Sequence, residues 1–168
     1  GHKGSIQIYS EPEKGSTFRV LLPAGEMGGE YVSPGLQESD FQGHGTVLLV
    51  DDEDFIRDIG KEMLQSLGFS VITASDGNEA LEAFRSNPDV SCIILDYTMP
   101  HMDGLQCFNE LRQLDPNVNV IMSSGYSEQE ITSKLHGQLL TGFIQKPFTL
   151  SSLRDVLLDL GDLRKIPV

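Results

Sequence analysis

Between Thr46 and Leu160 the chain alternates five times between a short apolar run and a segment whose apolar residues recur at helical spacing. The first run, Val47-Leu48-Leu49-Val50, ends in Asp51-Asp52, and Phe55, Ile59, Met63, Leu64 and Leu67 then mark a helix that Gly68 stops. Phe69–Ala74 reads as a second strand, and Ala80, Leu81 and Phe84 as a second helix ending near Asn87-Pro88. Cys92-Ile93-Ile94-Leu95 runs into Asp96, followed by a helix on Leu105, Phe108 and Leu111. Val118–Met122 leads into Ser123-Ser124-Gly125, with a weaker helix from about Ser127 to His136. Gly142-Phe143-Ile144-Gln145 reaches Lys146-Pro147, and Leu150, Leu153, Val156, Leu157 and Leu160 form the face of a last helix. Strands that are apolar throughout are buried on both faces. Strand–helix units in series, joined by right-handed crossovers, therefore predict an α/β fold with a doubly wound, five-stranded parallel sheet.

The rest of the chain is different. Residues 4–23 read as a β-hairpin, with Ile6, Ile8 and Tyr9 in one strand and Thr17–Leu22 in the other, around a turn at Glu11–Ser16. Two strands alone are marginal in water, so the hairpin is expected to belong to something larger. Residues 24–45 hold six glycines and Pro34 with no apolar period, which reads as a linker. The expected organisation is a remnant at 1–23, a linker at 24–45, a domain at 46–160 and a tail at 161–168.

Twelve basic against 25 acidic residues give a net charge of −13, which argues against nucleic acid or anionic lipid as a direct partner. No apolar run reaches the ~20 residues of a membrane span, and Gly1-His2-Lys3-Gly4 is no signal peptide. Cys92 and Cys107 fit no metal spacing and read as buried thiols in a reducing compartment.

In a parallel sheet all strands end at one edge, and ligands bind outside it. Here that edge collects Asp51, Asp52, Asp96, Ser123, Ser124 and Lys146. Three crowded carboxylates need counter-charge. Lys146 supplies one, and an all-oxygen donor set selects a hard divalent cation such as Mg2+. A cation, an ammonium and a hydroxyl suit phosphoryl oxygens, so the expected chemistry is phosphoryl transfer. Asp96, alone at the end of a central strand, is the candidate nucleophile.

At these residues the chain resembles the receiver domain of two-component response regulators. The similarity covers roughly Thr46 to Leu160 and rests on Leu49–Glu53, Leu95–Gly104, Ser123–Tyr126 and Lys146-Pro147-Phe148. It implies the flavodoxin-like (βα)5 fold with strand order 2-1-3-4-5. It also implies that Asp96 accepts phosphate from a phosphohistidine, and that Asp51, Asp52, Asp96 and the Thr98 carbonyl hold Mg2+. Lys146, before a cis proline bond, would pair with the phosphoryl group. Ser124 matches the switch hydroxyl and Phe143 the switch aromatic, together altering the surface of the fourth helix, fifth strand and fifth helix. That surface could also pair two copies of the domain. Thr98 and Tyr126 occupy positions that would set the phosphate's lifetime, whereas His101 reads as a solvated loop residue.

Gly1–Pro12 with Gly15-Ser16-Thr17-Phe18 and Leu22-Pro23 resembles the last hairpin of a histidine-kinase ATP-binding domain. The parent would then be a hybrid sensor histidine kinase, itself membrane-anchored or not, with this part cytoplasmic. No phosphoacceptor-histidine box is present, so this stretch is not expected to phosphorylate histidine. The partner would be a histidine kinase, including the parent, or a histidine phosphotransfer protein. A haloacid-dehalogenase-type phosphatase wants a second Asp two residues after the nucleophile, where Thr98 stands. A pseudo-receiver would lack an acidic or lysine position, and none is lost.

Overall fold

The computed structural model describes residues 5–11, 15–21, 42–134 and 140–160. Of the turn expected at Glu11–Ser16, Glu11, Gly15 and Ser16 belong to the paired strands instead, because the ladder runs on to the Glu11–Gly15 pair. Residues 12–14, the linker up to residue 41, the end of the fourth helix at His136 and the tail lie outside the described residues. The chain divides into two units, Gly1–Ser39 and Asp40–Val168.

In the first unit β1 (Ser5–Glu11) and β2 (Gly15–Leu21) pair antiparallel. Ile6 stands opposite Val20 and Ile8 opposite Phe18, so the four side chains share one face of the hairpin. All four are more than half exposed.

The second unit carries β3 (Thr46–Val50), α1 (Asp54–Ser66), β4 (Ser70–Ala74), α2 (Gly77–Ser86), β5 (Val90–Asp96), α3 (Gly104–Leu114), β6 (Val120–Ser124), α4 (Glu128–Lys134), β7 (Gly142–Gln145) and α5 (Leu150–Leu158). The sheet runs β4-β3-β5-β6-β7 and is parallel throughout. Counted from β3 this is the expected order 2-1-3-4-5. The alternation of side chains along the strands divides the core in two. Leu48, Val50, Ile93, Leu95, Val120 and Met122 pack against α2, α3 and α4. Val47, Leu49, Cys92, Ile94, Ile121 and Ile144 pack against α1 and α5. Cys92 and Cys107 are buried and free, and burial pushes both thiols up to about 12.

Local chemistry sets the boundaries. Gly68, at φ +98°, ends α1: its N–H donates to the Gln65 carbonyl while Phe69 N–H reaches back to Leu64. That is a Schellman arrangement, which needs a left-handed residue. It uses Phe69 as part of the cap, so β4 begins at Ser70 rather than at Phe69. Val118 N–H donates to Asp115 and closes a turn, so β6 starts two residues later than the apolar run. Gly43 and Gly45, with no apolar period of their own, are tied to the domain through Leu67 and Ser70. Asp76 caps α2, Asp103 caps α3, and Thr149 with Ser152 forms a capping box on α5.

Candidate functional site

The carboxyl ends of β3, β5, β6 and β7 meet where the sequence places its polar residues. Val50 pairs with Leu95, so Asp51 and Asp96 stand at one level at the ends of adjacent strands. Both are buried, at 1% and 4% exposure, whereas Asp52 is exposed. Carboxylate oxygens of Asp51, Asp52 and Asp96 all lie within 4.8 Å of one another. Lys146 follows β7 and reaches across the edge: its Nζ is 2.6 Å from Oδ2 of Asp51 and 3.0 Å from Oδ2 of Asp96. The Lys146–Pro147 bond is cis.

This crowding governs the charges. Burial raises the Asp96 carboxyl from 3.8 to about 6, and the neighbouring Asp51 charge adds to the rise. The Lys146 ammonium and a hydrogen bond from the Thr98 backbone oppose it. Burial acts against the Lys146 ammonium too, but its bond to Asp51 and the Asp96 charge outweigh that and hold it above its ordinary value. The ammonium pairs with two of the three clustered acids, and every donor in the cluster is oxygen. The group therefore fits a hard divalent cation.

The remaining residues from the sequence fall around this centre. Ser124 is buried at the end of β6, with its Oγ accepting the Tyr126 N–H at 3.1 Å. Phe143 pairs with Met122, two residues before Ser124, so Phe143 and Ser124 share the sheet face covered by α4. Phe143 is partly buried and packs against the core beneath α4. Tyr126 is half exposed, edge-on to Tyr97 with ring centres 6.4 Å apart, and the Lys134 ammonium lies over both rings. Thr98 is exposed, as is His101.

Sequence reasoning misses two contributors. Arg57, one turn into α1, hydrogen-bonds the Asp51 carbonyl and pairs with Asp54, clamping the loop that presents the acids. Its only signal in the sequence is a basic residue soon after an acidic loop. Gly104 packs its backbone against Asp96: a Cβ there would lie 2.3 Å from the Asp96 carbonyl oxygen and 2.7 Å from the Tyr97 Cα. Ser123, which the sequence already places at this edge, has its hydroxyl buried without a partner. Beside the cluster, α1 and the β7–α5 turn flank an open cleft of about 450 Å3, lined by Phe55, Ile59, Met63, Lys146, Pro147 and Phe148 among others.

A parallel sheet in this order, with paired acids, a lone acid and a lysine on its carboxyl edge, defines the CheY-like class of doubly wound folds. Residues 47–158 match the response regulator receiver domain, and the chain belongs to that family. It is a receiver domain of two-component signalling. It is 37% identical over 159 residues to the sensor kinase CckA of Brucella abortus, covering 89% of this chain but 17% of the kinase. The chemotaxis protein CheY of Halobacterium salinarum is 32% identical, with 67% of this chain and 93% of CheY aligned. Among solved structures, the CheX–CheY–BeF3–Mg2+ complex of Borrelia burgdorferi superimposes with a TM-score of 0.65 at 30% identity, covering 69% of this chain and 88% of that one. Among the described residues, no helix is long and apolar enough to cross a membrane.

Proposed function

We propose that Asp96 accepts a phosphoryl group from a phosphohistidine in a Mg2+-dependent step, and that the modified domain signals through the surface of α4, β7 and α5. The observation that carries this reading is the bridge of Lys146 across Asp51 and Asp96, inside a cluster of three carboxylates. The relative solved with BeF3 and Mg2+ shares the fold and supports it. An Asp96 oxygen attacks phosphorus as the bond to the donor imidazole breaks, and the imidazole leaves with that electron pair. A cation held by Asp51, Asp52, Asp96 and the Thr98 carbonyl would neutralise charge on the phosphoryl oxygens. Lys146 exchanges the Asp96 carboxylate for one of those oxygens. Arg57 holds the Asp51 loop, and Gly104 lets the Asp96 backbone sit against the start of α3. Ser124 gives up the Tyr126 amide and turns toward the new charge, and Phe143, on the same face, repacks beneath α4. A charge that biases two packings of one element is a sufficient switch.

The donor is a histidine kinase or a histidine phosphotransfer protein. Exposed Phe55 and the apolar cleft beside Lys146 offer such a donor a docking surface next to the acceptor. We further propose that residues 1–23 continue from the ATP-binding domain of a hybrid sensor kinase. The hairpin's exposed apolar face, Ile6, Ile8, Phe18 and Val20, reads as part of a larger sheet. The resemblance to CckA also spans more of the chain than the receiver does. The test is labelling with acetyl phosphate or a phosphorylated kinase, with and without Mg2+. Native chain should label and Asp96→Asn should not; label retained by the variant disposes of the assignment.

A further inference from the structure

Among the described residues two buried side-chain polar atoms lack a hydrogen-bond partner: Nδ1 of His44, at the far end of the sheet, and Oγ of Ser123. Ser123 is 2% exposed. A buried hydroxyl with nothing to bond is costly, and such a group in a site points to another state in which it is used.

Its position says which state. Ser123 pairs in register with Asp96 on one side and Ile144 on the other. Residues paired across a parallel sheet project to the same face. Ile144 packs with Ile121 on the side of α1 and α5, so Ser123 and Asp96 look to that side. Ser124, by alternation, looks to the other. Lys146, two residues past Ile144, must cross β6 beside Ser123 to reach Asp96 on β5. The Ser123 hydroxyl thus lies in the row of Asp96 and along the path of the lysine. In the unmodified domain the carboxylate of Asp96 already takes the Lys146 ammonium and the Thr98 amide.

We infer that Ser123 is a second functional hydroxyl, distinct from Ser124, which donates to the Asp96 carboxyl once Lys146 has moved to the phosphoryl oxygens. This rests on the phospho-acceptor reading above. In hydrolysis the oxygen of water bonds to phosphorus and the bond from phosphorus to the Asp96 oxygen breaks. The electron pair stays on the carboxylate, and the proton of water leaves with inorganic phosphate. Negative charge grows on the Asp96 carboxyl along this path. A donor placed beside it stabilises the transition state more than the acyl phosphate. Ser123 therefore shortens the life of the phosphoryl group.

The experiment follows label decay in Mg2+ after removal of the donor, in the native chain, Ser123→Ala and Ser123→Thr, with Asp96→Asn as control. Ser123→Ala should hold its phosphoryl group about fivefold longer, the rate equivalent of one ordinary hydrogen bond. Ser123→Thr, which keeps the hydroxyl, should decay near the native rate. In the unphosphorylated form Ser123→Ala should unfold at no lower urea concentration than the native chain, because the lost hydroxyl had no partner. A Ser123→Ala half-life within about twofold of native overturns the inference, as does destabilisation of that variant before phosphorylation. Native chain that takes no Asp96-dependent label overturns the phospho-acceptor reading itself, and this inference with it.

Discussion

Asp96 is held where its charge is unwelcome, and that makes the metal-free protein's stability depend on pH. Its carboxyl titrates at about 6 in the folded chain against 3.8 as the ordinary value, with burial as the main cause. An acid whose folded pKa is raised stabilises the fold relative to its ionised form only while it stays protonated. The benefit is full below the unfolded value and is lost as pH rises through the folded one. Across the whole rise from 3.8 to about 6 the cost of ionisation is about 3 kcal/mol. Asp96→Asn replaces the carboxylate by a neutral group of the same shape. In EDTA at about pH 7.5, urea unfolding followed by far-UV circular dichroism should find Asp96→Asn more stable by about 2–3 kcal/mol. At about pH 4.5 the native Asp96 is already neutral when folded, and the advantage should shrink to about 1 kcal/mol. Saturating Mg2+ should narrow it at neutral pH as well, by stabilising the native chain through binding. A variant no more stable than native at pH 7.5 without metal, or a gain that survives acidification intact, would refute the account of a crowded, under-compensated acid.

Three further outcomes are expected. Lys146→Met removes the ammonium from two buried carboxylates and should lower stability in EDTA by about 2–4 kcal/mol, read by the same unfolding assay, with partial recovery in Mg2+. Gly104→Ala drives a methyl into the Asp96–Tyr97 backbone, so thermal unfolding should show a loss of about 1–3 kcal/mol and labelling of Asp96 should slow. Tyr126→Ala removes a ring held by Lys134 and Tyr97 beside the switch loop, and the phosphoryl half-life should shorten severalfold. An unchanged half-life would mean that the ring does not shield the site.

Much of this protein is legible without coordinates because it depends on local periodicity. Alternating apolar runs and helical stripes specify the strands, their parallel sense and the helices on both faces. Once the strands are parallel, Asp51, Asp52, Asp96, Ser124 and Lys146 must gather at a common edge. Precise strand starts are less legible, since Phe69 and Val118 are apolar and buried but serve in a cap and a turn. What only the tertiary structure decides is which of the gathered groups touch, and on which side. Asp51 and Asp96 are buried and Asp52 is not; Lys146 spans β6 to bridge both buried acids; Gly104 abuts Asp96; Arg57 grips the Asp51 loop. Ser123 and Ser124 are adjacent in the chain, yet the pleat sends one toward Asp96 and α1 and the other toward α4. Periodicity is a property of neighbours along one element, whereas these contacts join separate elements and depend on strand register and loop geometry, which packing sets.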